Sequence, residues 1–514
     1  MITYRDKARN ILATKEVEII NKPNKLKSMF FFNKITVITA AFNAEKFIEK
    51  TINSVIDQSI GFSNIEYIIV NDCSTDNTEQ ILKKYAKNYK NICVVSLKNN
   101  TGTPGTPRNI GIELATGKYV TFLDADDWLD PKGLETLYNI LEETGDDYVV
   151  GKTIKVDNNG TSIIGEFESV KERRSVSPFD IEHIFYHMGP RARMMKLSLL
   201  KEFDIGFPEL KFAEDKSFFY DVLLNAKKIS TTTKPIYYVN RLDDNPNSLT
   251  RVTNVIDKRK ADLTVLKYLI QKKLPLEKEK VALNRIFEYD LVRTFNSQTF
   301  VKSKEKVEFF AVLDEAVEIA NGLKYDFTEE FKEPLYKTAI KLFVENRRDD
   351  FVRLFEWYKQ DKNKKYVIKG NIAYYEVPFL HDKNRFIEIP MFARALDSYI
   401  YGNKYCQTFE IFGRYISSVE SILIRDRNSF DNEMVCNVDI NGNFGYFEID
   451  LENLSALNNS LFTFFIRYNK YQLVNIKRIS SNSIVYGERK IEFYTTKANN
   501  LGLSIKNKEK SVNT

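Results

Sequence analysis

The stretch Tyr119-Val120-Thr121-Phe122-Leu123-Asp124-Ala125-Asp126-Asp127 constrains this chain more than any other, because an apolar run stops abruptly in three carboxylates. Strand formers that end in Asp-x-Asp-Asp set acidic side chains where a buried strand leaves its sheet, the usual place for ligand sites in open α/β folds. Carboxylates this close repel one another unless a cation or hydrogen bonds hold them, and a hard divalent metal carrying phosphate oxygens would do so. A plainer reading is a helix cap, since Asp127-Trp128-Leu129-Asp130-Pro131 reads as a turn entering a helix near Pro131.

The segments before this run repeat its pattern. Ile35-Thr36-Val37-Ile38-Thr39 is a β-branched run, followed by the loop Ala40 to Asn43 and by Phe47, Ile48, Ile52, Val55 and Ile56 at helical spacing. Glu66 to Val70 reads as a second strand ending in Asn71-Asp72-Cys73-Ser74-Thr75-Asp76, with a helix from Asn77 to about Lys87. A third strand, Ile92 to Ser96, leads through Asn99-Asn100-Thr101-Gly102-Thr103-Pro104-Gly105-Thr106-Pro107-Arg108-Asn109 into a short helix closed by Gly117. This alternation predicts a mostly parallel, doubly wound sheet on whose loop edge Asn43, Asp72, Arg108, Asp124 and Asp126 converge. The glycine-rich loop breaks the G-x-G-x-x-G spacing and no G-x-x-x-x-G-K-[ST] follows a strand, which argues against a dehydrogenase or a P-loop ATPase.

Further on, residues 148 to 165 read as two strands around the Asp157-Asn158-Asn159-Gly160 turn, followed by a mobile basic stretch, Lys171-Glu172-Arg173-Arg174. Phe212-Ala213-Glu214-Asp215 opens a helix with an acidic pair, for which dipole-favoured capping is the plain explanation. From about Val255 to Tyr358 the pattern is helical, with Phe309, Phe310 and Phe343 read as core. Beyond a linker near Asp361 to Lys365, short alternating runs such as Phe386 to Ile389, Ser421 to Ile424 and Leu461 to Phe465 predict an all-β sandwich. The divisions are an extension at 1–33, a catalytic domain at 34–254, a helical linker region at 255–365, a β module at 366–506 and a charged tail at 507–514.

A chain of 514 residues is too long for one core, and its 28% charged and 43% hydrophobic residues describe an ordinary globular protein. The net charge of +6 is small and spread out, so nucleic-acid binding is not inferred. Cys73, Cys93, Cys406 and Cys436 lack metal-ligand spacing and are too sparse for a disulfide framework, which fits a reduced, cytoplasmic setting. The stretch Met1 to Lys7 lacks the apolar core expected of a signal peptide, and no run of about 18 apolar residues occurs. Met29-Phe30-Phe31-Phe32, beside Lys25 and Lys27, is read as packing on the first domain, with membrane contact as the alternative.

Asn43, Asp72, Asp124-Ala125-Asp126 and Glu214-Asp215, each after its strand or at its helix start, together resemble the inverting family 2 glycosyltransferases of GT-A fold. Asn71 to Asp76, Pro104 to Asn109 and Ala213 to Asp215 are closest to the wall teichoic acid poly(ribitol phosphate) N-acetylglucosaminyltransferases. Tyr494 to Leu501 is similar to a closing segment of teichoic acid transferases. The resemblance implies a UDP-sugar donor, an anionic polyol-phosphate acceptor, and Mn2+ or Mg2+ on Asp126 with Asp124 nearby. It implies Asp215 as catalytic base and Glu214 as a ligand of acceptor or donor-sugar hydroxyls. Donor contacts fall to Ala41 and Asn43 at the base, Asp72 at the uracil ring, Arg193 and Arg241 at the diphosphate, and Arg108 at Asp124 or the donor phosphate. It implies a homo-oligomer, a trimer, through a C-terminal β module with an Ig-like sandwich, and a cytoplasmic place that extends to peripheral contact with the inner membrane face. The first loop departs from the family, reading Thr39-Ala40-Ala41-Phe42-Asn43 where Pro and Tyr are common. The alternatives weighed are a transferase for another surface glycan such as capsule, and a non-catalytic polymer-binding scaffold.

Overall fold

The computed structural model describes residues 4–14, 17–23, 34–242, 254–304, 306–477 and 482–508. The Met29 to Phe32 segment, the polar loop at Asn247 to Leu249 and the tail beyond 508 lie outside the described residues. The chain forms two compact units, Met1–Asn158 with Ile163–Ile286, and Asn159–Ser162 with Phe287–Thr514.

The first unit begins with a helix, α1 (Asp6–Thr14), and an edge strand, β1 (Val17–Ile20). The parallel core follows as β2 (Ile35–Ala41), α2 (Ile48–Ile56), β3 (Ile65–Asn71), α3 (Thr78–Asn88), β4 (Ile92–Leu97), α4 (Gly105–Leu114) and β5 (Tyr119–Phe122). Strands β3, β4 and β5 are buried along their whole length, as expected of strands with helices on both faces. Beyond them come β6 (Trp128–Leu129), α5 (Gly133–Thr144), β7 (Tyr148–Asp157), β8 (Gly160–Ile164), α6 (Glu166–Ser169), β9 (Arg173–Val176) and β10 (Arg193–Lys196). The unit closes with α7 (Leu197–Glu202), α8 (Glu214–Asn225), β11 (Ile229–Asn240), α9 (Val255–Gln271) and α10 (Leu276–Asn284).

The strand order is β1-β4-β3-β2-β5-β10-β7-β11-β6, with β8 on β7 and β9 on β11. From β2 the chain steps outward through β3 to β4, then returns to place β5 on the other side of β2. That reversal opens a crevice outside the carboxyl ends of β2 and β5, where Asn43 and Asp124 lie. Gly111 lets α4 lie against β2, since a Cβ there would sit 2.4 Å from Ile38 Cγ2. The close approach carries Arg108, one turn earlier on α4, to the same edge.

Three expectations change. The 1–33 extension is not separate in its described parts: β1 pairs antiparallel with β4, Arg5 Nη2 reaches Asp204 Oδ1 at 2.5 Å, and Asn109 Nδ2 donates to the Tyr4 carbonyl at 3.0 Å. The stretch expected to be mobile runs into β9, which pairs with β11. The helical region divides, because α9 and α10 are bonded to α8: Tyr268 Oη donates to Asp221 Oδ2 at 2.5 Å, Lys272 Nζ lies 2.7 Å from Asp221 Oδ1, and Tyr220 Oη donates to the Ala282 carbonyl at 2.9 Å. The units therefore separate at 286/287 rather than at 254/255.

In the second unit, α11 (Lys306–Ala320), α12 (Pro334–Val344) and α13 (Arg348–Gln360) enclose a phenylalanine cluster in which Phe295 and Phe351 centroids are 4.8 Å apart. Of the three phenylalanines expected in the core, Phe309 and Phe343 are buried there and Phe310 is half-buried. A three-stranded sheet follows, β12 (Tyr366–Lys369), β13 (Ile372–Glu376) and β14 (Phe386–Ile389). The remaining strands, from Met391 to Asn507, enclose one apolar core around Phe409, Phe447, Phe464 and Phe493, giving the expected all-β sandwich module.

Candidate active site

The end of β5 is held as a tight turn. Asp127 N–H donates to the Asp124 carbonyl at 3.2 Å, Asp124 N–H donates to the Tyr237 hydroxyl oxygen at 3.0 Å, and Thr51 Oγ1 donates to the Asp127 carbonyl at 2.8 Å. Asp127 is buried, and one carboxylate oxygen accepts the Asn240 N–H at 2.7 Å. Its pKa is raised well above the ordinary value by burial, then by the charges of Asp126 and Asp124, with the Asn240 bond opposing. So Asp127 braces β5 against β11 and does not cap a helix. Asp124 and Asp126 stay partly exposed on the crevice.

Arg108 joins the two acidic motifs. Its guanidinium donates to Asp124 Oδ1 at 2.8 Å and to Glu214 Oε1 at 2.9 Å, while its side chain is only 8% exposed. Burial opposes its charge, but Asp124, Glu214 and Asp215 more than offset this and raise its pKa. Glu214 is pushed up to about 7 by burial and then by Asp215, with Arg108 opposing. Just before the pair, buried Ala213 is held at φ +66°, a left-handed conformation that a residue with a Cβ rarely takes. That kink starts α8 with both acids in its first turn, Asp215 partly exposed and Glu214 buried.

On the β2–β3 side, Ala41 ends β2 buried, and its carbonyl accepts the Asp72 N–H at 2.8 Å. Asn43, at φ +49°, accepts the Thr75 N–H through Oδ1 at 2.8 Å, locking the Cys73 to Asp76 loop. Asp72 takes the Thr101 N–H on Oδ1 and the Thr101 hydroxyl on Oδ2, both at 2.9 Å, and burial raises its pKa. The Gly/Pro loop thus encloses Asp72 as well as leading into α4.

The structure brings Ala41, Asn43, Asp72, Arg108, Asp124, Asp126, Glu214 and Asp215 to one sheet edge. Arg241 follows β11 there, its Nη1 donating to the Asn240 carbonyl at 2.7 Å. Arg193 differs: fully buried, it lies 2.9 Å from Glu168 Oε1 and over the Phe219 ring at 4.7 Å. That carboxylate partner commits Arg193 to the interior. Sequence reasoning also passed over Tyr237, Thr51 and Asp127's brace, whose partners lie far along the chain.

Among the described residues no group of three His, Cys, Asp or Glu side chains is arranged to hold a metal alone. An ion of Mg2+ type takes one or two carboxylates and completes its shell with phosphate oxygens. The partly exposed Asp126 and Asp124 fit that demand, and their push on Asp127 marks negative charge that a cation would offset.

Residues 36–201 match glycosyl transferase family 2, a span running from β2 into α7. This part of the chain is a family 2 domain of GT-A fold, and an all-β module stands at the other end of the chain. The chain is similar to the poly(ribitol-phosphate) beta-glucosyltransferase of Bacillus spizizenii, 29% identical over 337 residues, 64% of this chain and 51% of that protein. It is 35% identical over 206 residues, 40% of this chain and 35% of the relative, to the poly(ribitol-phosphate) beta-N-acetylglucosaminyltransferase TarS of Staphylococcus aureus. With TarP of the same species it shares 35% over 210 residues, 40% of this chain and 62% of that one. The chain thus spans less than two thirds of each of these relatives. The crystal structure of S. aureus TarS superimposes with TM-score 0.57 at 21% identity, covering 93% of this chain and 86% of that one. TarS 1-349 in complex with UDP-GlcNAc gives TM-score 0.57 at 24% identity, covering 69% and 99%. These likenesses show the fold.

Proposed function

We propose that this protein is an inverting glycosyltransferase that moves a hexosamine or hexose, N-acetylglucosamine foremost, from a UDP-sugar to a hydroxyl of a poly(ribitol phosphate) teichoic acid chain. The observation that carries this reading is Arg108, which ties the strand-end carboxylate Asp124 to the Glu214-Asp215 pair across one crevice. Relatives named for poly(ribitol phosphate) transfer support the substrate class.

In this reading the nucleotide lies over β2 and β3, with Ala41 and Asn43 bordering the base and Asp72 accepting from the uracil ring. Asp126, with Asp124 beside it, would hold Mn2+ or Mg2+, which when bound would supply Lewis-acid stabilisation of the departing diphosphate. Asp215 takes the proton of the acceptor hydroxyl as its oxygen bonds to the anomeric carbon. The opposite carbon–oxygen bond breaks, and its electron pair leaves with UDP. Burial keeps Glu214 able to carry a proton near neutral pH, so it can donate to a sugar hydroxyl. Arg108 fixes the spacing of the two acidic motifs, and Arg241 reaches the diphosphate from the end of β11. The protein works at the cytoplasmic membrane face as a homo-oligomer, a trimer built through its β module. Among the described residues no helix is long and apolar enough to cross a membrane.

The test is UDP release from UDP-N-acetylglucosamine and UDP-glucose with and without purified poly(ribitol phosphate). Acceptor-dependent release from either donor is expected. Release confined to a phosphate-free glycan would overturn the acceptor, and no release from any pairing would overturn the transferase.

A further inference from the structure

Arg191 makes none of the contacts described above, and the structure gives its side chain an unusual setting. In an extended segment, residues two apart point to the same face. Arg191 and Arg193 would do so, but buried Ala192 between them is held at φ +56°. The kink breaks the alternation. Arg193 turns into the interior, where its Nη2 meets Glu168 and the His187 carbonyl, and His187 Nδ1 lies 3.0 Å from Glu168 Oε2. This buried group anchors the segment on both sides of the kink.

Arg191 does not follow it inward. Its guanidinium packs over Gly189, where a Cβ would come within 2.8 Å of Nη2 and displace it. Its Nε is buried with no hydrogen-bond partner. No ion pair or hydrogen bond of this side chain forms among the described residues. It nevertheless stands at the catalytic edge: β10 pairs antiparallel with β5, Met195 opposite Val120, so the residues just before β10 lie beside the end of β5 where Asp124 follows. A desolvated guanidinium N–H without an acceptor is costly, and native structures seldom keep one without a use. Strained backbone is likewise concentrated at ligand clamps.

We propose that Arg191 is a phosphate ligand of the crevice, its acceptor oxygens arriving with a substrate. This rests on the reading of the site as a UDP-sugar transferase acting on a polyol-phosphate chain. Two sources share that chemistry, the donor's diphosphate and the phosphodiester beside the acceptor hydroxyl. A planar guanidinium suits either oxyanion.

The experiment uses the full chain with Arg191→Gln and Arg191→Lys. Uridine, UMP and UDP are titrated calorimetrically with Mn2+ present, and KM is measured for poly(ribitol phosphate). Loss of a charge-assisted bond predicts about a tenfold to hundredfold effect in the Gln variant, partly restored by Lys. A weaker UDP with uridine unchanged assigns Arg191 to the donor. A raised acceptor KM with UDP unchanged assigns it to the acceptor. If neither moves while the wild type binds and turns over, the inference is wrong and the transferase reading stands. If both variants lose uridine as well, Arg191 is structural and the inference is again wrong. A wild type that binds no UDP and uses no acceptor overturns the reading of the site and this inference with it.

Discussion

The two units differ in where they hold backbone strain and in how much charge they bury. Among the described residues of the second unit the non-glycine positions at positive φ are Asn346, Asn469 and Asn499, whose side chains suit turns, and Lys470. In the first unit they include Cys73, Ala192 and Ala213, at the carboxyl edge of the sheet or entering it, and both alanines are buried. The β module packs aromatic on aromatic, with Tyr405 and Phe493 stacked at 3.6 Å. The first unit buries more charge, Arg108, Asp127, Arg193, Glu214 and Lys216 among it, where the second buries Glu288, Asp290 and Asp426. Lys216, one residue beyond the proposed base, is held by Asp262 and lowered to about 7 by burial. One unit is built for packing, and the other spends stability on a prepared edge.

That contrast makes predictions of graded size. Asp215→Asn should lower transfer by roughly two to four decades, the usual worth of a positioned base, while the UDP affinity stays within a factor of two. Steady-state turnover with a parallel titration checks this, and retained transfer would remove Asp215 from its role. Phe464→Ala, in the fully buried core of the β module, should cost about 4 kcal/mol in denaturant unfolding and leave UDP affinity unchanged. Lost UDP affinity would break the contrast between the units. Arg108→Met leaves Asp124 and buried Glu214 without their shared cation, and should cost about 3 kcal/mol together with most of the transfer activity.

The smallest effect concerns pH. Glu214 rises from an ordinary 4.5 to about 7 on folding, so the folded chain keeps a proton there that the unfolded chain has lost. The stability it lends is full below pH about 4.5, falls as pH rises to about 7, and is then gone. Glu214→Gln should flatten that part of a plot of stability against pH. An unchanged slope would mean that another group titrates.

The central strands were legible because each is a local apolar run with an acid at its end, and the position after a strand is enough to bring Asn43, Asp72 and Asp124 together. The β module was legible for a similar reason, from alternation between turn residues. What escaped the sequence depends on long-range partners. Nothing near Val17 announces β4 as its neighbour, and the bonds of Tyr268 and Lys272 to Asp221 join residues about fifty apart. Arg193 escaped for a conformational reason. Arg191 and Arg193 look equivalent until the left-handed Ala192 separates them, and an alanine gives no warning of such a φ.

The most direct measurement is calorimetric titration of the full chain with UDP, with and without Mn2+, repeated on Asp126→Ala. The account predicts binding that strengthens with Mn2+ in the wild type and loses that dependence in the variant. UDP binding indifferent to the ion in both proteins would contradict the role of Asp126, and no binding in any condition would contradict the nucleotide-sugar site itself.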